Sequence, residues 1–140
     1  KLGTFPMLAL MLFLHVPTHI AHSFVTHDNY FWLLTAVRLT QHLLGVGLNF
    51  SVSNLMYINT PEEDRTNYIS FYVLAGNLFA FLGLTTGTSI VAAMGDMSFS
   101  FFGASLTSVP VTLLMQALMC VALVLLTLSL IKHVKPENEK

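Results

Sequence analysis

Four long apolar stretches, separated by short polar connections, make up the pattern of this chain. The first covers residues 4–21, near the short end of the roughly 17–25 residues that a membrane-crossing helix needs. Pro17 is predicted to kink it, and His15, His19 and His22 make its second half wetter. A polar connection over residues 23–29 leads to the second stretch, residues 30–58. It opens on Tyr30, Phe31 and Trp32, an aromatic group suited to the headgroup level. This stretch is longer than the hydrocarbon requires, so it is expected to tilt or to project beyond it. The third covers residues 60–94, and a Ser/Phe/Gly-rich stretch reading as a loop continues to residue 105. The fourth covers residues 106–131, before a polar tail over 132–140.

Between the second and third stretches lies Thr60-Pro61-Glu62-Glu63-Asp64-Arg65-Thr66. Thr60 and Glu63 have the spacing of a capping box, in which each side chain bonds the other residue's backbone N–H. Pro61 sits where a helix tolerates a missing N–H. Three carboxylates follow, at the positive end of the helix dipole. The third helix is therefore expected to start at Thr60, after a tight turn outside the membrane.

The second helix carries the most chemical information. Arg38, Gln41, His42, Gly45, Asn49 and Ser53 recur at helical spacing and form one continuous polar stripe, flanked by Leu39, Leu43, Val46 and Phe50. Lipid cannot satisfy such a stripe, so it must face protein or a water-filled cavity. The bland reading is hydrogen bonding to neighbouring helices, with Arg38 snorkelling toward the interface. The functional reading, which we carry forward, is a cavity lining.

On the third helix Gly76, Ala80, Gly83 and Gly87 share a face, with Gly83 and Gly87 a small-xxx-small pair. Small residues let a second helix backbone approach closely, so this is a packing signal. Asn77, Thr85 and Thr88 lie on a neighbouring face within reach of a cavity. On the fourth helix Thr112, Gln116 and Cys120 share a face, and Gln116 is its one strongly polar residue.

Composition sharpens this picture. Of 140 residues, 54% are hydrophobic and 9% charged, where a soluble domain carries about a quarter charged residues. The net charge of −1 gives no reason to expect nucleic acid as a partner. A lone cysteine excludes an internal disulfide. No nucleotide-binding loop or hydrolase triad is present, so neither an enzyme nor a cofactor is expected. His15, His19 and His22 share a helical face, but no carboxylate or cysteine on that helix completes a metal set. Every Asp and Glu falls in a connection or in the tail. Lys1, Arg65, Lys132, Lys135 and Lys140 fall on one side of a four-span topology, so the positive-inside rule makes that side cytoplasmic. The chain starts at Lys1, without a methionine or a signal-peptide pattern, and is expected to be a piece of a longer polypeptide.

A polar-striped helix, then Pro61-Glu62-x-x-Arg65-Thr66, then a glycine-spaced helix resembles the major facilitator superfamily of secondary transporters. The resemblance is to the connection between the tenth and eleventh helices. Arg38-x-x-Gln41 followed by Gly45 and Gly47 is loosely similar to a fourth-helix run of the same superfamily. It implies an all-α membrane fragment, the last four helices of a twelve-helix bundle in the cytoplasmic membrane. The complete protein would move a small solute by alternating access, with its partner surfaces in the lipid bilayer and the remaining helices. Arg38, Gln41, His42, Asn49, Asn77 and Gln116 would line its cavity. The alternative is a small integral-membrane metal- or haem-binding redox protein that uses the histidines of the first two helices.

Overall fold

The computed structural model describes residues 3–58, 60–101 and 104–131. Its elements are α1 (Thr4–Ser23), α2 (Tyr30–Ile58), α3 (Arg65–Met94), β1 (Phe99–Phe101), β2 (Ala104–Leu106) and α4 (Ser108–Ile131). Of the lysines and arginine that set the expected orientation, only Arg65 lies among the described residues.

Three of the four helices, α1, α3 and α4, are long and apolar enough to cross a membrane. The fourth, α2, has the length but not the hydropathy, because its polar stripe dilutes the apolar positions. Four spanning helices were expected; among the described residues three have the apolar character to span. α2 nevertheless runs the length of the bundle. At 1.5 Å per residue its 29 residues reach about 44 Å, and its last turns lie beside the start of α1 and the start of α3, where Phe5, Leu55 and Ile69 line one pocket.

α1 is the centre of the packing. It meets α4 most extensively and α2 next, while α3 touches α4 and α2 only lightly. The buried apolar residues are few, Ala9, Leu12, Val37, Leu106 and Ala117, and the buried polar ones, Thr18, Ser23, Ser51 and Thr127, are all small. Helices in lipid gain nothing from hiding leucine, so close backbone approach through small residues replaces a large apolar core. α3 buries no residue, and Phe71 is 71% exposed and Phe79 70%. A surface of this kind is a liability in water and ordinary against acyl chains. The helices are those of a membrane protein.

Local chemistry explains the connections. Pro17 lies inside α1 and supplies no N–H to the helix ladder, and beside it the Thr18 hydroxyl donates to the His15 carbonyl at 2.8 Å. Asn29 ties the α1–α2 connection together: its Oδ1 accepts from the Thr26 N–H at 2.7 Å, and its Nδ2 donates to the Phe24 carbonyl at 3.1 Å.

Two expectations are corrected here. α3 begins at Arg65, not at Thr60, with Asp64 as its N-cap residue and no side-chain cap bond. The Thr60 hydroxyl donates to the Met56 carbonyl at 2.8 Å, so Thr60 belongs to the end of α2, a turn away from the start of α3. Pro61, Glu62, Glu63 and Asp64 form the turn, and Arg65 pairs with Glu62 at 3.7 Å across exposed side chains. The second correction concerns the expected loop after α3. It contains an antiparallel hairpin, with Phe99 opposite Leu106, Ser100 opposite Ser105 and Phe101 opposite Ala104. Apolar residues and serine alternate with period two on both strands, the pattern of a ribbon with two unlike faces.

Candidate functional site

α2 presents three faces. Val37 and Ser51 are buried, and Leu44, Leu48 and Leu55 are half-buried, on the side that meets α1. At 3.6 residues per turn, Arg38, His42, Gly45 and Asn49 lie about a third of a turn further round. Arg38, His42 and Asn49 are exposed; Gln41, Gly45 and Ser53 are half-buried, Gln41 on the border of the α1 contact. The remaining face holds Leu39, Leu43, Val46 and Phe50, with Leu43 75% exposed. So the polar stripe neither packs on α1 nor joins the lipid-like face. It stands open.

The contact between α1 and α2 is tight at Gly47. A Cβ there would lie 2.6 Å from the Met11 Sδ, so only glycine fits without moving Met11. One turn on, Ser51 is 1% exposed and donates to the Gly47 carbonyl at 2.9 Å. That bond satisfies the hydroxyl within its own helix and leaves the surface of Ser51 to α1. Sequence reasoning passed over this pair, although Gly47-x-x-x-Ser51 is itself a small-xxx-small signal.

Among the described residues nothing packs closely on the glycines of the small-residue face of α3. Nothing lies within 4 Å of where a Cβ would stand at Gly76, Gly83 or Gly87, and Ala80 is exposed. Asn77 is exposed on the same helix. Thr85 and Thr88 donate back to the Phe81 and Leu84 carbonyls, each at 3.0 Å, which removes their need for an outside partner. On α4, Gln116 is exposed, Cys120 half-buried, and Thr112 donates to the Val109 carbonyl at 2.7 Å. Gln116 and Asn77 are therefore available to a cavity, but the structure does not gather them with the stripe of α2.

The histidines of α1 lie on its packed side, all three half-buried. The rings of His15 and His19 are 6.0 Å apart. His15 Nδ1 donates to the Met11 carbonyl at 2.8 Å, whereas Nδ1 of His19 and of His22 is shielded and has no partner. Among the described residues no three His, Cys, Asp or Glu side chains come together as a metal set. Arg38 makes no ion pair or hydrogen bond among the described residues.

A pocket of about 330 Å³ lies at the other end of α2, lined by Phe5, Leu55, Met56, Ile69, Phe71 and Tyr72 among others. It is apolar and does not reach the stripe. Comparison with family models, curated proteins and solved structures finds no match to this chain.

Proposed function

We propose that this chain is the C-terminal part of a major-facilitator-type secondary transporter, and that the complete protein moves a small solute across the cytoplasmic membrane by alternating access. The observation that carries this reading is the open polar stripe of α2, where Arg38, His42 and Asn49 face neither α1 nor the apolar side of their own helix. In a bilayer such a stripe needs water or a second protein surface. Four helices do not enclose a cavity, so the stripe and the unpacked face of α3 are surfaces for the other helices of the transporter. Gln41 and Gly45 continue the lining, and Asn77 and Gln116 join it from α3 and α4. The termini and the Pro61 turn are cytoplasmic in this reading.

Water accessibility tests it without knowledge of the solute. With Cys120 replaced by serine in the full-length protein, single cysteines at His42, Gly45 and Asn49 should react with a small water-soluble thiol reagent. Cysteines at Leu39, Leu43 and Phe50 should not. Equal protection on both faces would mean that the stripe is sealed against helices, and the cavity reading would fall.

A further inference from the structure

The stripe on α2 and the histidines on α1 meet at one level. α1 and α2 are packed neighbours joined by a short connection, so they run antiparallel. The Met11–Gly47 contact pins their register. Moving nine residues toward the connection from each, about 14 Å of helix, brings Ile20 opposite Arg38. His19 and His22 flank Ile20 in the sequence. Met11, His15, Thr18 and His22 recur at helical spacing, so the flank of α1 that touches α2 at Met11 carries His22 toward Arg38.

Among the described residues nothing complements this group. The described acids Asp28, Glu62, Glu63, Asp64 and Asp96 all lie outside the helices, and Arg38 has no ion-pair partner. Nδ1 of His19 and His22 is unbonded although shielded from solvent, and buried polar atoms without partners are rare enough to need a reason. A guanidinium offers five N–H donors and no acceptor, in a planar fork that fits two oxygens at once, and each imidazole can add an N–H. Such a set repels cations and leaves a neutral solute with the cost of an unpaired charge. It fits an anionic oxygen group.

We propose that Arg38, with His22 and His19, binds the carboxylate or phosphate group of the transported solute on the open face of α2, where it borders α1. The solute part of this inference rests on the transporter reading above; the anion site does not. Full-length protein in phosphatidylcholine nanodiscs should gain several degrees of thermal stability in sodium succinate or sodium phosphate, against sodium chloride at matched ionic strength. The gain should persist in His27→Gln, whose side chain stands in the exposed connection beside Asp28. It should shrink in His22→Gln and in Arg38→Lys, which keeps the charge and loses the fork, and vanish in Arg38→Gln. Arg38→Lys carries the test if Arg38→Gln does not fold. An undiminished gain in both Arg38 variants, or no gain in the wild type, would overturn the site. Stabilisation by phosphatidylglycerol discs with none from free anions would show that Arg38 holds a lipid headgroup, and would overturn the solute assignment. Anion binding without uptake into proteoliposomes would support the site and refute the transporter. Uptake of a neutral solute that survives Arg38→Gln would refute the site and keep the transporter.

Discussion

Met11 of α1 reaches so far into α2 that its sulfur occupies the place of a side chain at Gly47, 2.6 Å from where a Cβ would be. The two helices are held at that distance by the absence of an atom. Gly47→Leu must displace Met11 or part the helices, and overpacking of this kind costs about 1–3 kcal/mol. We expect a clear fall in thermal stability in detergent. Gly47→Ala should be milder, because a thioether chain is flexible and can shift.

Gly83 gives the opposite expectation. Among the described residues nothing lies within 4 Å of where its Cβ would stand, so Gly83→Leu in the isolated four-helix segment should leave thermal stability unchanged. If other helices of a transporter pack on that face, the same substitution in the full-length protein should lower folding yield sharply. Equal tolerance in both contexts would show that the small face of α3 looks at lipid.

Topology can be read chemically. On a Cys120→Ser background, a cysteine at His27 should label with a membrane-impermeant thiol reagent applied to intact cells, and a cysteine at Glu63 should not. Labelling at Glu63 from outside would reverse the orientation inferred from the lysines and arginine.

Thr60 separates two views of the turn. A capping box would make Thr60→Val cost about 1 kcal/mol. With the hydroxyl bonded back to Met56 at 2.8 Å, the substitution should change stability by less than about 0.5 kcal/mol. A full-sized loss on thermal unfolding would restore Thr60 as the cap of α3.

Asn29 should matter more than its place in a loop suggests. Its amide bonds both Thr26 and Phe24, and each such bond contributes about 0.5–1.5 kcal/mol. Asn29→Ala is expected to lower the unfolding temperature and to loosen the α1–α2 connection, measurable as faster amide exchange at Thr26. Asn29→Asp keeps an acceptor for Thr26 and loses the donor to Phe24, so it should fall between.

The helices were legible because apolar runs of about twenty residues have few alternatives, and α2 was legible because arginine, glutamine, histidine and asparagine recur on one side of it. Four features were not. The start of α3 was obscured because Thr60 satisfies a local capping pattern, while in the fold it closes the end of α2 and a turn intervenes before Arg65. The hairpin around Phe99 and Leu106 was hidden because three-residue strands are too short for periodicity to stand out from a Ser/Phe/Gly loop. The close contact was sought on α3, where small residues are more numerous, and it lies at Gly47 and Ser51. Spacing identifies a face fit for close approach but not which helix approaches it. The level shared by Arg38 and His22 is invisible in the sequence for the same reason, since it depends on the register that Met11 and Gly47 set.

The insufficient hydropathy of α2 bears on how the chain is made. α1, α3 and α4 can each leave the insertion machinery for lipid on their own account, whereas a helix carrying Arg38, Gln41, His42 and Asn49 pays to do so alone. α1 emerges first and offers α2 a packed face within a hairpin, so the two should enter the bilayer as a pair. Glycosylation mapping of α2 alone should then find it translocated or stranded, and restoring α1 ahead of it should bring it into the membrane. Gly47→Leu, which spoils the pair without adding charge, should undo that rescue, making a packing glycine a determinant of biogenesis.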